Sequence, residues 1–133
     1  MVALLAALVL PALPRGTSRA RLEAYAVETA ALLKADRAAA IRRRIAVATH
    51  VDAEARLVSS PVTGRTVRLP ADVDVQAILA ARCNQQRTER SIHFFPSGVS
   101  CGGAITLRRA GQSYRVRVDW LTGGIDVAPL RSL

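Results

Sequence analysis

LLKADRAAAIRRRIAVATHV, residues 32–51, contains a change of period that sets the fold. Up to Arg44 apolar side chains recur at three- to four-residue spacing, and from Ile45 onward they alternate. Working back from Arg44, the positions Leu22, Ala26, Thr29 or Ala30, Leu33 and Ile41 form one stripe. Arg21, Glu28, Lys34 and Arg42 fall mostly off it, which is the pattern of an amphipathic helix with one face on a core. Neither Gly nor Pro interrupts the run from Ser18 to Arg44, and Thr17 or Ser18 supplies an N-cap. At 1.5 Å per residue such a helix is roughly 40 Å long. Forward of Arg44, Ile45, Val47, Thr49 and Val51 alternate with Ala46, Ala48 and His50, which predicts a strand.

The sequence beyond is strand-like. Alternation and turn residues predict strands around Arg56–Ser59, Thr66–Leu69, Ser91–Phe95, Ala104–Arg109, Ser113–Trp120 and Ile125–Val127. The turn-forming SPVTG, PSGVSCGG and LTGG fall between them. Val73–Ala81 fits either a strand or a helical turn, and the polar Arg82–Arg90 reads as a loop. Tyr114, Val116, Val118 and Trp120 share one strand face and are expected in the core, with Arg115, Arg117 and Asp119 opposite. Phe94 and Phe95 point to opposite faces, so one enters the core and the other covers a neighbour or an interface. The expected class is α+β, a long N-terminal helix packed on an antiparallel β-sheet or β-sandwich. The chain divides into three stretches: an apolar 1–14, an amphipathic helix over 15–44, and a β-rich 45–133.

The apolar start, MVALLAALVLPALP, has no charged or polar side chain. It is shorter than the about 20 apolar residues that span a bilayer, and it lacks the basic n-region and cleavage site of a secretory signal. Pro11 and Pro14 predict a kink. The expectation is a chain that begins partway through a membrane-inserting helix, with Val2, Leu4, Leu5, Leu8, Val9, Leu10 and Leu13 as its apolar contacts.

Composition narrows the function classes. Basic residues outnumber acidic ones 19 to 10 for a net charge of +9, and every basic one except Lys34 is Arg. Such charge suits a polyanion, yet the arginines run from Arg15 to Arg131 with one cluster, Arg42–Arg44, as a general surface charge would. The aromatics Tyr25, Phe94, Phe95, Tyr114 and Trp120 are not interleaved with arginines as a base-stacking platform requires. His50 and His93 are the only histidines, with no His-x-x-x-His pair and no CxxC, so a zinc site and any other cofactor are unsupported. Ser97 and Ser100 lie in PSGVS, which is not a nucleophile elbow, and Asp119 at a strand end suits a turn. An enzyme is not expected. Cys83 and Cys101 either form one bridge or stay as buried thiols.

Three segments resemble one family. IHFFPSGVSCGGAITL, at Ile92–Leu107, resembles the (I/L)-x-F-x-P-x-G-x-S-x-G-G-x-(I/L)-x-L segment of type II secretion protein H, a family of minor pseudopilins. YRVRVDWLTGGI, at Tyr114–Ile125, resembles that family's closing strand and its V-D-W-L-T-G turn. LLKADRAAAIRRR, at Leu32–Arg44, resembles its Leu-Arg-x-Ala-Arg-x-x-Ala helix end. Phe95, Pro96, Gly98, Gly102, Gly103, Asp119, Trp120, Leu121, Thr122 and Gly123 are the structural motif positions. A bridge between Cys83 and Cys101 would be local to this chain, since Cys101 stands near a position that is usually small and polar in the family.

The resemblance implies a pilin-like helical stem in a short periplasmic filament, with a β head on its surface. It implies a single-pass inner-membrane protein contributing near the filament tip to export of folded proteins across the outer membrane. Partners would be the major pseudopilin, the tip minor pseudopilins and, for the full-length precursor, prepilin peptidase with N-terminal methylation. The family's basic leader, peptidase site and Phe-Thr-Leu-x-Glu opening are not in this sequence, and Met1–Leu5 looks like the residues that come after that Glu. This chain is therefore expected to keep the fold of its head and to lose the ability to assemble. The alternative is a minor pilin of a type IV or DNA-uptake pilus with an Arg-rich, DNA-binding head; otherwise no nucleic acid is expected.

Overall fold

The computed structural model describes residues 16–88 and 90–130, so the apolar contacts expected at Val2–Leu13 lie outside the described residues. Helix α1, Arg19–Arg43, starts where Ser18 turns extended and its side chain accepts the backbone N–H of Arg21 at 3.2 Å. It stops at Arg44, whose left-handed φ of 55° turns its N–H back to the Ala40 carbonyl. No helix among the described residues is long and apolar enough to cross a membrane.

The rest of the described chain forms ten strands: β1 Val47–Asp52, β2 Leu57–Ser59, β3 Thr66–Arg68, β4 Asp74–Leu79, β5 Arg82–Cys83, β6 Gln86–Arg87, β7 Ser91–Phe94, β8 Gly103–Arg109, β9 Gln112–Val118 and β10 Ile125–Leu130. All pair antiparallel, as two four-stranded sheets, β3-β2-β1-β7 and β10-β9-β8-β4, with β5 and β6 a small separate hairpin. The chain changes sheet at β4, returns at β7 and leaves again at β8. That path interlocks the sheets, so neither forms from one continuous stretch of sequence.

One core joins helix and sheets. Leu22, Ala26, Leu32 and Leu33 of α1 meet Val47, Val58, Ile92 and Phe94 of the first sheet and Ile105, Leu107, Val116 and Val118 of the second. Alternation explains which strand residues take part: along β9 Tyr114, Val116 and Val118 are buried while Arg115 and Arg117 are exposed. Phe94 is fully buried and its neighbour Phe95 half-buried, as opposite faces require.

Three sequence expectations are corrected. Trp120, expected in the core, is 68% exposed, because β9 ends at Val118 and the chain has already turned. Ile41, expected on the helix's buried stripe, is 42% exposed; beyond Leu33 the buried face is carried by Asp36, Ala39 and Ala40 instead. Within the expected loop 82–90, the Asn84–Gln85 turn has positive φ at both residues, 53° and 69°, which folds β5 onto β6. The ambiguous Val73–Ala81 contains strand β4.

Candidate functional site: the two motif loops and the helix

Between β7 and β8 the loop 95–102 closes on itself. Phe95 N–H donates to the Val99 carbonyl at 2.9 Å, and Gly98 N–H to the Phe95 carbonyl at 2.8 Å. Ser100 bridges to Phe94, and its hydroxyl accepts Gly102 N–H at 3.0 Å while donating to the His93 carbonyl. The turn after β9 is built on Asp119. Its carboxylate accepts the N–H groups of Leu121 at 2.8 Å and Thr122 at 3.3 Å, and its carbonyl accepts Gly123 N–H at 2.7 Å.

These two loops touch each other and the helix. A Cβ on Gly123, whose φ is 73°, would fall deep inside the Gly98 carbonyl, so only glycine lets the backbones approach. Arg37 of α1 joins both: Nε donates to the Gly98 carbonyl at 2.8 Å and Nη2 to the Thr122 carbonyl at 3.3 Å. Gly98 itself lies against that guanidinium, where a Cβ would sit 2.9 Å from Nη2. Gly102 passes under Trp120, and Gly103 opens β8. Of the other motif residues, Pro96, Leu121 and Thr122 are exposed. The result is a rigid corner that presents Trp120 and Leu121, 68% and 64% exposed, to solvent.

Cys83 of β5 and Cys101 of this corner are joined as a disulfide with Cα atoms 5.8 Å apart, inside the usual range. The bridge ties the β5–β6 hairpin to the β7–β8 loop. Across the helix, the buried Asp36 carboxylate accepts hydrogen bonds from Thr49 at 2.6 Å and Ser60 at 2.5 Å, pinning α1 to the first sheet. At the helix entry Asp72 accepts from Thr17 N–H at 2.7 Å, from the Thr17 hydroxyl at 2.8 Å and from Arg109 at 3.0 Å. The backbone bond from Thr17, then its hydroxyl, then Arg109 hold the Asp72 carboxyl down at about 2.

Arg37 and Asp36 were not singled out by sequence reasoning. Two adjacent charges near the end of an Ala-rich helix resemble solvated residues, and their role depends on carbonyls and hydroxyls contributed by distant strands. His50 is exposed on β1. His93 is half-buried beside the Ser91 hydroxyl at 3.0 Å, and burial lowers its pKa. Among the described residues no group of three His, Cys, Asp or Glu side chains could hold a metal ion. The arginines are dispersed over α1, the β2–β3 region, the β5–β7 region and β8–β9.

A capped helix lying across two antiparallel sheets, with two strand-end loops clamped to it by one arginine, defines a pilin-like subunit head. Its backbone superimposes on the minor pseudopilin EpsH of the Vibrio cholerae type 2 secretion system with a TM-score of 0.62, covering 80% of this chain and 95% of that one at 13% identity. The type IV minor pilin FimU of Pseudomonas aeruginosa gives 0.61, covering 84% and 90% at 16% identity. No protein-family model matches the chain. Type II secretion system protein H of Xanthomonas campestris pv. campestris is 31% identical over 132 residues, 99% of this chain and 78% of that protein. The chain belongs to the type II secretion system protein H family.

Proposed function

We propose that this protein is a minor pseudopilin, a structural subunit near the tip of the periplasmic pseudopilus that helps carry folded proteins across the outer membrane. The observation that carries this is the 31% identity to a protein H along almost the whole chain, with both motif loops inside the matched span. The head supports it physically: a rigid corner held to the stem helix suits a subunit that transmits force by packing. The disulfide fits a compartment outside the reducing cytoplasm.

The apolar stretch of residues 1–14 suits part of a stem that would anchor such a subunit in the inner membrane as a single pass. Burial of that stem among the stems of the major and other minor pseudopilins would drive assembly. Prepilin peptidase would process the precursor of such a subunit.

The fold alone fits a type IV minor pilin nearly as well, since EpsH and FimU align about equally. Sequence separates them: it is a secretion protein that shares 31% identity with this chain. Deleting the gene should leave exoproteins in the periplasm while DNA uptake and twitching continue. Normal secretion with lost twitching or DNA uptake would assign the protein to a type IV pilus instead.

A further inference from the structure

His50 and His93, the two histidines of the chain, are 43 positions apart in sequence, yet the fold brings them to one place. On β1 the buried Val47, Thr49 and Val51 alternate with Ala48 and His50. On β7 the buried Ile92 and Phe94 alternate with Ser91 and His93. Both histidines therefore stand on the outer face of the first sheet. His50 is opposite Ser91, and His93 is opposite Ala48. Val51 N–H donates to the Arg90 carbonyl at 2.8 Å, so by alternation these two pairs carry no ladder bonds of their own. Side chains of such pairs stand closer together. Right-handed twist then shortens one diagonal, the one joining the later residues of the two strands, His50 and His93.

The His93 ring leans back along β7, with Nε2 3.0 Å from the hydroxyl of Ser91, the residue that faces His50. Cβ atoms on such a diagonal are about 7 Å apart or less, within reach of both rings. His50 is exposed, so its ring can turn toward β7. One ion held by two imidazoles at about 2.0–2.1 Å needs the nitrogens about 3.3 Å apart. Ala48, Ser59 and Ser91, the register neighbours of the pair, are small and uncharged and leave that space open. Charged groups on this face lie a row away: Asp52 further along β1, and Arg68 opposite Leu57. Asp52 is turned to its own loop, where it accepts Ala55 N–H at 3.1 Å. Burial lowers the His93 pKa, which keeps a ring lone pair available at neutral pH.

We propose that His50 and His93 form a two-imidazole chelate for a late first-row divalent cation such as Zn2+ or Cu2+. Neutral imidazole suits these ions, whereas Mg2+ and Ca2+ seek oxygen ligands. The ion takes the place of the Ser91 hydroxyl at His93 Nε2 and draws the His50 ring onto the same centre. Among the described residues no third His, Cys, Asp or Glu completes a cage, so water fills the remaining positions. Such an open site holds its ion exchangeably, unlike a closed structural zinc site. The chelate rests on the register of β1 and β7 and is independent of the filament role.

With two histidines in the chain, the imidazole C–H proton signals report the site without interference. The full chain is titrated with Zn2+ at pH 7.5 while both ring signals are followed by NMR. The expected result is that both rings shift together with one midpoint, and that Mg2+ at the same concentrations moves neither. His50→Ala and His93→Ala should each weaken Zn2+ binding about tenfold or more, since one imidazole alone is left. Binding should fade toward pH 5, where protons compete for both rings. Rings that respond with separate midpoints would overturn the proposal, as would no saturable shift below about 1 mM Zn2+. So would an affinity indifferent to His50→Ala, a substitution at an exposed position that leaves the fold intact. Secretion is not read in this experiment, so its failure leaves the filament role standing.

Discussion

Arg37 and Gly98, 61 residues apart, are joined by a 2.8 Å hydrogen bond from guanidinium Nε to the carbonyl oxygen. The same side chain reaches the Thr122 carbonyl, so one helix residue sets the positions of both motif loops. A planar fork can serve two carbonyls at fixed angles, and a lysine ammonium cannot. Arg37→Lys should therefore lower stability by about 1–2 kcal/mol and Arg37→Ala by about 2–3 kcal/mol, as expected for charged hydrogen bonds. Urea unfolding checks this, and unchanged midpoints would mean that the clamp carries no stability.

Gly123 and Gly64 have nearly the same φ, 73° and 72°, in opposite surroundings. A Cβ at Gly64 meets nothing within 4 Å, so Gly64→Ala should cost only the left-handed penalty, about 1–2 kcal/mol. Gly123→Ala adds a collision with the Gly98 backbone, which forces the two loops apart. It should cost at least about 2 kcal/mol more than Gly64→Ala, comparable to overpacking a core. Equal losses in paired denaturation curves would show that the loops separate freely.

Asp36 is fully buried with hydroxyl donors on both oxygens. Asp36→Ala strands the Thr49 and Ser60 hydroxyls and opens a void, for a loss of about 3 kcal/mol. Asp36→Asn keeps one accepting oxygen and should lose less. If the two variants unfold at the same urea concentration, accepted hydrogen bonds are not what holds the helix to the first sheet.

Asp72 makes the helix entry acid-sensitive. Its folded pKa of about 2 lies below the ordinary 3.8, so the deprotonated form is favoured in the folded state. The stabilisation is fully present above pH 3.8 and is lost as pH falls through about 2. Because the carboxylate is solvent-accessible, the effect is a modest steepening of acid unfolding. Asp72→Asn should flatten the stability profile between pH 4 and 2, about the span of the shift. An unchanged slope would show that Thr17 and Arg109 do not favour the charged form.

Trp120 projects into solvent beside Gly102, so Trp120→Ala should change stability by no more than about 0.5 kcal/mol, as surface positions do. A loss near the roughly 3–5 kcal/mol of a buried large aromatic would restore the core role suggested by strand alternation.

That contrast shows what sequence can convey. Period located α1 and seven of the ten strands, because each buries one face and local spacing records it, whereas β4 fits two readings and the short β5–β6 hairpin reads as a polar loop. Trp120 kept the alternation of Tyr114, Val116 and Val118, yet where a strand stops depends on the Asp119 turn and on the loop beneath it. Ile41 failed in the same way at the helix end, where small Ala39 and Ala40 replace large apolar residues in the contact. The motif loops were legible through resemblance, but their meeting point was not. Gly98 and Gly123 are 25 positions apart, and nothing local marks two backbones that nearly touch. Arg37 and Asp36 carried no signal beyond being charged, since their partners come from other elements.

The subunit role is tested most directly by locating the protein in the filament. Pseudopili assembled in cells carrying the gene, sheared and labelled with antibody to the head, should bear the label at one end. Label there together with lost secretion on deletion is the expected result. Filaments that form, secrete and carry none of this protein would contradict a structural place in the pseudopilus.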